Sequence, residues 1–320
     1  MPNGVLILAD VVDGAVAPIT AELVGAARRL NAGPVNAMVL GSGVEGAAAQ
    51  VAGVEKTYVV DSPALAEYTT DAYTQAAAAV AQQADPAIIL LGQTNVGRDL
   101  APALAFKLGT AVAMDTIALE MKDGKLHTTR PAYGGNARAV NSFATAPAIA
   151  TVRPKSQDPA EGGAPGQVVK VDAALAEPRA KVTARNVATA EGVRLEDAEV
   201  VVSGGRGLGG PEGFQGIEEL AHVLGGAVGC SRAVADLGWR PVAEQVGLTG
   251  KVVSPTLYVA VAISGASQHM AGCAGSKNIV AINKDPEANI FKAARFGVVG
   301  DFKTVLPAFI EAVKKVKAEG

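Results

Sequence analysis

Residues 199–210 read EVVVSGGRGLGG, which sets Gly205, Gly207 and Gly210 in the spacing G-x-G-x-x-G. Glycines so spaced let a backbone approach a pyrophosphate, and free amides in a turn attract anions. The run follows an apolar, strand-like segment. It precedes a helical pattern in which Phe214, Ile217, Leu220 and Leu224 share one face, ending at Gly225. That is where a phosphate cradle belongs. Two features argue against an ordinary nicotinamide dinucleotide site. The acid that meets a ribose about 20 residues later is missing, and Gly229-Cys230-Ser231-Arg232 stands there instead. Pro211 and Gly213 also delay the helix, which loosens the turn at the third glycine.

Further chemistry-bearing residues gather after apolar runs. Strands are expected at Val200–Ser203, Ala227–Cys230, Leu257–Ile263, Asn278–Asn283 and Gly297–Gly300. In a doubly wound sheet, ligands bind outside the carboxyl ends of the strands. Those ends carry Arg206; Ser231 and Arg232; Ser264 through His269; Asn283; and Asp301. Each alone fits a solvated loop residue. Together they favour a large polar ligand. His127 and His222 read as structural or exposed, and the two cysteines, Cys230 and Cys273, as small buried residues. No nucleophile–base pair or metal cluster stands out.

The elements that must hold these residues form two α/β domains. In the first half, Val5–Ala9, Val35–Leu40, Thr57–Val60 and Ala87–Gly92 read as buried strands, with helices such as Ala21–Leu30 and Asp71–Gln83 between them. That alternation predicts a parallel sheet with right-handed crossovers. Asp123-Gly124 is a hairpin signal, and the strand-like runs around it continue to Ala148–Arg153 with no helix between. They are expected as antiparallel strands added to a mostly parallel sheet. Residues 154–166 are rich in Pro and Gly and read as an exposed loop. The expected division is 1–187 for the N-terminal α/β domain and 188–320 for a doubly wound C-terminal domain. Over 320 residues, an apolar share of 49% supplies two cores. A net charge of −3 excludes a basic nucleic-acid footprint. No apolar run is long enough for membrane insertion, and the N-terminal MPNGVLILAD lacks a basic leader, so a cytoplasmic protein is expected.

The runs CSRAVADLGWRP, QVGLTGKVVSPTLYVAVAISGASQHMAG and IVAINKDPEANIFKAARFGVVGDF, with SGGRG before them, resemble the alpha subunit of electron-transfer flavoproteins. The likeness covers most of residues 199–320; the first half resembles the family's first domain in strand order and in AELVGAARRL. It implies an electron carrier rather than a substrate-converting enzyme, with FAD held by the C-terminal domain. It also implies a beta subunit that contacts the N-terminal domain and carries AMP, or a second FAD in electron-bifurcating members. Electrons would come from flavin dehydrogenases, such as acyl-CoA dehydrogenases, and pass to a quinone reductase or other acceptor.

Residue by residue, the resemblance puts FAD contacts at Arg206, Ser231 and Arg232, and at Val246, Gly247, Leu248 and Thr249 of the QVGLTG turn. It adds Ser264, Gly265, Ala266, Ser267, Gln268 and His269 of SGASQH, Asn283, Asp301 and Phe302. Arg232 would set a positive charge beside the flavin ring, Thr249 would donate to N5, and His269 to the N1/C2=O edge. Asn283 and Asp301 would meet the adenosine end. One residue departs from the family's QVGQTG, since Leu248 replaces its second glutamine. A nicotinamide-dependent dehydrogenase using the same strand ends is the rival reading.

Overall fold

The computed structural model describes residues 2–135, 137–176, 178–184 and 193–319. Two compact units emerge, Met1–Ala132 with Arg138–Asn186, and Tyr133–Ala137 with Val187–Gly320. The expected boundary at 187–188 lies in the stretch 185–192, outside the described residues.

The first 108 residues alternate strands and helices: β1 (Val5–Leu8), β2 (Val11–Val12), β3 (Ala15–Val16), α1 (Ile19–Leu30), β4 (Val35–Gly41), α2 (Glu45–Ala48), β5 (Lys56–Asp61), α3 (Thr70–Ala84), β6 (Ile88–Gly92) and α4 (Asn95–Leu108). Strands alone follow: β7 (Val112–Thr116), β8 (Ala118–Lys122), β9 (Lys125–Ala132), β10 (Ala137–Ser142), β11 (Ala148–Val152) and β12 (Gln167–Lys170). The main sheet has the order β12-β5-β4-β1-β6-β11-β7, and its pairs are parallel. The strand β1, VLIL, is buried at every position, as a strand covered on both faces must be.

The hairpin signal at Asp123-Gly124 is real, joining β8 to β9 in antiparallel register. Its placement differs from the sequence expectation. Strands β8 to β10 form their own three-stranded sheet, while β7 and β11 join the main sheet in parallel. A parallel pair needs a long crossover, usually a helix; here a small sheet provides it.

In this unit the strand order reverses at β1 and β6. There Thr94, which caps α4 through the Gly97 amide, donates from Oγ1 to Asp10 Oδ2 at 2.9 Å. The glycine-bearing turn GQTNVG therefore seats a carboxylate of the chain itself at the start of a helix, where negative charge is favoured. Burial pushes the Asp10 carboxyl up to about 6.

The second unit contains β13 (Val200–Gly204), α5 (Phe214–Leu224), β14 (Ala227–Cys230), α6 (Arg232–Asp236), β15 (Leu257–Val261), α7 (Ser267–Cys273), β16 (Asn278–Asn283), β17 (Phe296–Val299) and α8 (Phe302–Glu319). Its sheet runs β14-β13-β15-β16-β17, parallel throughout. Numbered from β13, that order is 2-1-3-4-5, a doubly wound sheet whose switch point lies between β13 and β15. Leu306 and Ile310 of α8 are buried with Phe214, Ile217 and Leu220 of α5 in one core on one side of this sheet. Tyr258 and Cys273 belong to the core on the other side.

Candidate functional site

A crevice of about 650 Å³ opens at the carboxyl ends of β13 to β16, beside the switch point where ligands of doubly wound sheets sit. Close backbone packing shapes its floor. A β-carbon at Gly205 would lie 2.1 Å from the Ala262 carbonyl oxygen, so only glycine lets these two strand ends meet. Ala262 itself takes a left-handed φ of 56°. For a residue with a β-carbon that costs about 1 kcal/mol or more. The kink turns the chain out of β15 into the loop Ser264–Ala266.

Arg206 and Gly207 line the crevice from β13, and Ser231 and Arg232 from β14. The Arg232 side chain is 66% exposed and stands 3.4 Å from Asp236, which lines the same space. Val246, Gly247, Leu248 and Thr249 form one wall. Their turn is tied down by main-chain bonds, the Leu248 amide donating to Gln268 O at 2.7 Å and Gly247 to Lys251 O at 3.1 Å. Leu248 needs no side-chain partner there, and that side chain is 66% exposed.

Gln245, which sequence reasoning passed over, is 5% exposed and lines the crevice. Its Nε2 donates to Thr249 Oγ1 at 3.1 Å. That bond holds the Thr249 hydroxyl at the wall of the crevice. The signal was present in the quoted QVGLTG, whose first residue is this glutamine. Asp285 and Ala288 line the crevice as well, and nothing in their spacing distinguishes them from ordinary loop residues.

From the third strand end, Ser264, Ala266, Gln268 and His269 face the crevice. Gly265 is buried beneath this loop, and Ser267 opens α7. Among the described residues, the main-chain N–H groups of 264–268 have no hydrogen-bond acceptor. Main-chain amides left free at such a loop can bind an anion. The Asn283 amide spans two loops, donating to Ile263 O at 2.8 Å and accepting from the Asp285 amide at 3.0 Å. Asn283 lines the crevice but also holds its rim together.

His269 is 7% exposed, with Nε2 at 2.9 Å from the Tyr258 hydroxyl. Its Nδ1 is buried without a partner. Burial pulls the imidazole down to about 4, so at neutral pH it is uncharged. It offers a hydrogen bond, not a positive charge.

Two expected residues lie elsewhere. Asp301 Oδ1 accepts from the Lys303 amide at 2.9 Å at the start of α8. Phe302 lines a separate groove of about 470 Å³ between α5 and α8. The glycine run also departs from the dinucleotide turn. Two short 3-10 turns, Arg206–Leu208 and Pro211–Gly213, separate β13 from α5. The Glu212 carboxylate packs against Gly210, where a β-carbon would meet its Oε1 at 2.3 Å. A carboxylate at the third glycine repels a pyrophosphate, which argues against the nicotinamide reading.

Comparison with known proteins agrees with this geometry. Residues 5–176 match the electron transfer flavoprotein domain, and residues 194–274 match the electron transfer flavoprotein FAD-binding domain. The chain belongs to the electron transfer flavoprotein alpha-subunit family. It is 44% identical to the electron transfer flavoprotein subunit alpha of Thermoanaerobacterium thermosaccharolyticum, over 97% of this chain and 98% of that one. It is 40% identical to the Bacillus subtilis subunit alpha, over 99% of both chains, and 41% identical to Protein FixB of Clostridium saccharobutylicum, over 98% of this chain and 97% of that one. The residues of the crevice fit the family's cofactor, FAD. Free amides suit a pyrophosphate, and the neutral His269 ring and the Thr249 hydroxyl are polar groups that suit a hydrogen-bonding ring edge. Among the described residues, no helix is long and apolar enough to cross a membrane.

Proposed function

We propose that this chain is the FAD-holding alpha subunit of a heterodimeric electron carrier, completed by an electron-transfer flavoprotein beta subunit. The observation that carries the reading is the switch-point crevice. One rim presents free amides of residues 264–268, and a neutral, buried His269 with an unpartnered nitrogen stands beside them. When bound, FAD supplies the redox chemistry, and the protein sets its binding and potential. The chain's own residues bind and orient. The amides of 264–268 hold the pyrophosphate, Thr249 and His269 donate to the ring, and Arg232 supplies positive charge whose reach Asp236 limits. Asn283 joins the loops after β15 and β16.

The N-terminal unit contacts the beta subunit, which holds AMP, or a second FAD in a bifurcating complex. Flavin dehydrogenases such as acyl-CoA dehydrogenases donate, and a quinone reductase or other acceptor receives, in the cytoplasm. The test is coexpression with an electron-transfer flavoprotein beta subunit, followed by a count of flavin and AMP per complex. One FAD per alpha chain, reduced by a flavin dehydrogenase, is expected. A colourless complex that binds nicotinamide nucleotide instead would overturn the reading.

A further inference from the structure

The turn at residues 245–251 is fastened through its main chain. The Lys251 amide donates to Gln245 O at 2.6 Å, the Gly247 amide to Lys251 O at 3.1 Å and the Gly250 amide to Gly247 O at 3.1 Å. The Val246 amide donates to Cys230 O at 2.9 Å, which ties the turn to the end of β14. The Leu248 amide ties it to Gln268 of α7. Thr249 is the exception. Among the described residues its main chain makes no hydrogen bond, and its side chain makes one, with Gln245 Nε2 at 3.1 Å.

The two partners of that bond are unequally held. Thr249 is exposed at the crevice wall, where a hydroxyl on its own turns freely to water. Gln245 is 5% exposed. A β-carbon at Gly250 would lie 2.3 Å from Gln245 O and 2.9 Å from Gln245 Cγ, so the turn folds back over the stem of the glutamine. A buried stem thus carries an amide to an exposed hydroxyl that nothing else in the turn holds. A net hydrogen bond shifts a rotamer population by about fivefold. It fixes the place of the oxygen whichever way the hydroxyl hydrogen turns.

We propose that Gln245 is a positioning residue, which holds the Thr249 hydroxyl at one place on the crevice wall and so fixes one polar contact of the flavin ring. Gln245 acts through the threonine. The inference rests on the flavin reading of the crevice, and the test separates the two.

The complex with an electron-transfer flavoprotein beta subunit is prepared with threonine carrying a 13C-labelled methyl group, before and after removal of FAD. Thr249→Ser identifies the Thr249 methyl signal by its loss. In the flavin-free wild type that methyl is expected to be ordered in a single rotamer, read from its order parameter. A methyl already averaged over rotamers overturns the proposal without any change to Gln245. In Gln245→Met, which keeps an unbranched side chain and removes the amide, the averaging is expected to appear.

With FAD bound, spectroelectrochemical titration reads the consequence. Gln245→Met is expected to change the flavin's one-electron equilibrium by about two- to tenfold, roughly 18–59 mV, in the direction that Thr249→Val changes it. The shift is expected to be larger in the Thr249→Ser background, where the hydroxyl has lost the branch that restrains it. In the Thr249→Val background it is expected to vanish. Equal shifts in all three backgrounds, or no shift with Thr249 intact, overturn the proposal, because a glutamine that only stabilises the turn acts regardless of the hydroxyl. If the wild type binds no FAD, the flavin reading fails, while the methyl measurement still decides whether Gln245 anchors Thr249.

Discussion

The main chain of Gly265 passes so close to that of Ile290 that a β-carbon on Gly265 would lie 2.2 Å from the Ile290 nitrogen. The same nitrogen donates to Ser264 O at 3.0 Å, so this contact fastens the loop after β15 to the one after β16. Gly265 has a φ of +78°. An alanine there must bear left-handed strain of about 1–2 kcal/mol and displace Ile290 as well. Gly265→Ala is expected to lower the unfolding free energy by more than about 2 kcal/mol and to weaken FAD binding. Denaturant unfolding with flavin absorbance checks both. An unchanged midpoint would show that the loop moves freely.

The neutral His269 gives the fold a dependence on acid. Its folded pKa is about 4 against an ordinary 6.5. Between those values the unfolded chain binds a proton that the folded one refuses, so this residue makes stability fall as pH drops through that window. The slope for one such group reaches at most about 1.4 kcal/mol per pH unit. Asp10 acts with the opposite sign, because its folded carboxyl keeps its proton up to about 6 against an ordinary 3.8. The difference between wild type and His269→Gln isolates the histidine. That difference is expected to shift by a few kcal/mol between pH 6.5 and pH 4, as read by urea unfolding. A flat difference would mean that His269 is not held neutral.

Arg232 and Asp236 set the local charge together. The Arg232 side chain is 66% exposed, and solvent weakens its field. Arg232→Ala is expected to leave FAD bound and to lower its one-electron potential by less than about 59 mV, a tenfold change in equilibrium. Asp236→Asn is expected to move the potential the other way. Lysine at 232 restores part of the effect, because it keeps the charge without the planar fork. Spectroelectrochemical titration reads all three, and identical potentials would return Arg232 to the surface.

Leu248→Gln tests whether the QVGLTG turn accepts the glutamine that the family resemblance implies at this position. Main-chain bonds from Leu248 and Gly247 hold the turn, so the larger polar side chain meets no obstacle. FAD occupancy is expected to stay unchanged. The added amide contributes on the order of 1 kcal/mol at most, visible as a small change in flavin spectrum or potential. Loss of flavin would contradict this account of the turn.

Where the sequence was legible, the reason is periodicity. The run Asn278–Asn283 was read to the residue, and β13 to within one, because short buried parallel strands appear as unbroken apolar runs. Strand ends were readable too, since polar residues follow such runs at once. Pairing was not. Asp123-Gly124 identified a hairpin but carried no information on which sheet would accept β8 and β9, a choice made by long-range packing. Neither was the charge state of His269. That depends on how deeply tertiary packing buries the ring, which no local spacing reports. Phe302 was assigned by motif, and its side chain turns with α8 toward α5.

Cys230 and Cys273 are buried, and burial pushes both thiols up to about 12. A thiol without thiolate character reacts slowly with alkylating agents and peroxides. The protein's two thiols therefore react slowly with such reagents in the native state. That slowness makes the exposed position 248 addressable. A single cysteine introduced there would take a fluorophore or spin label alone, at the lip of the crevice, without removal of either native cysteine.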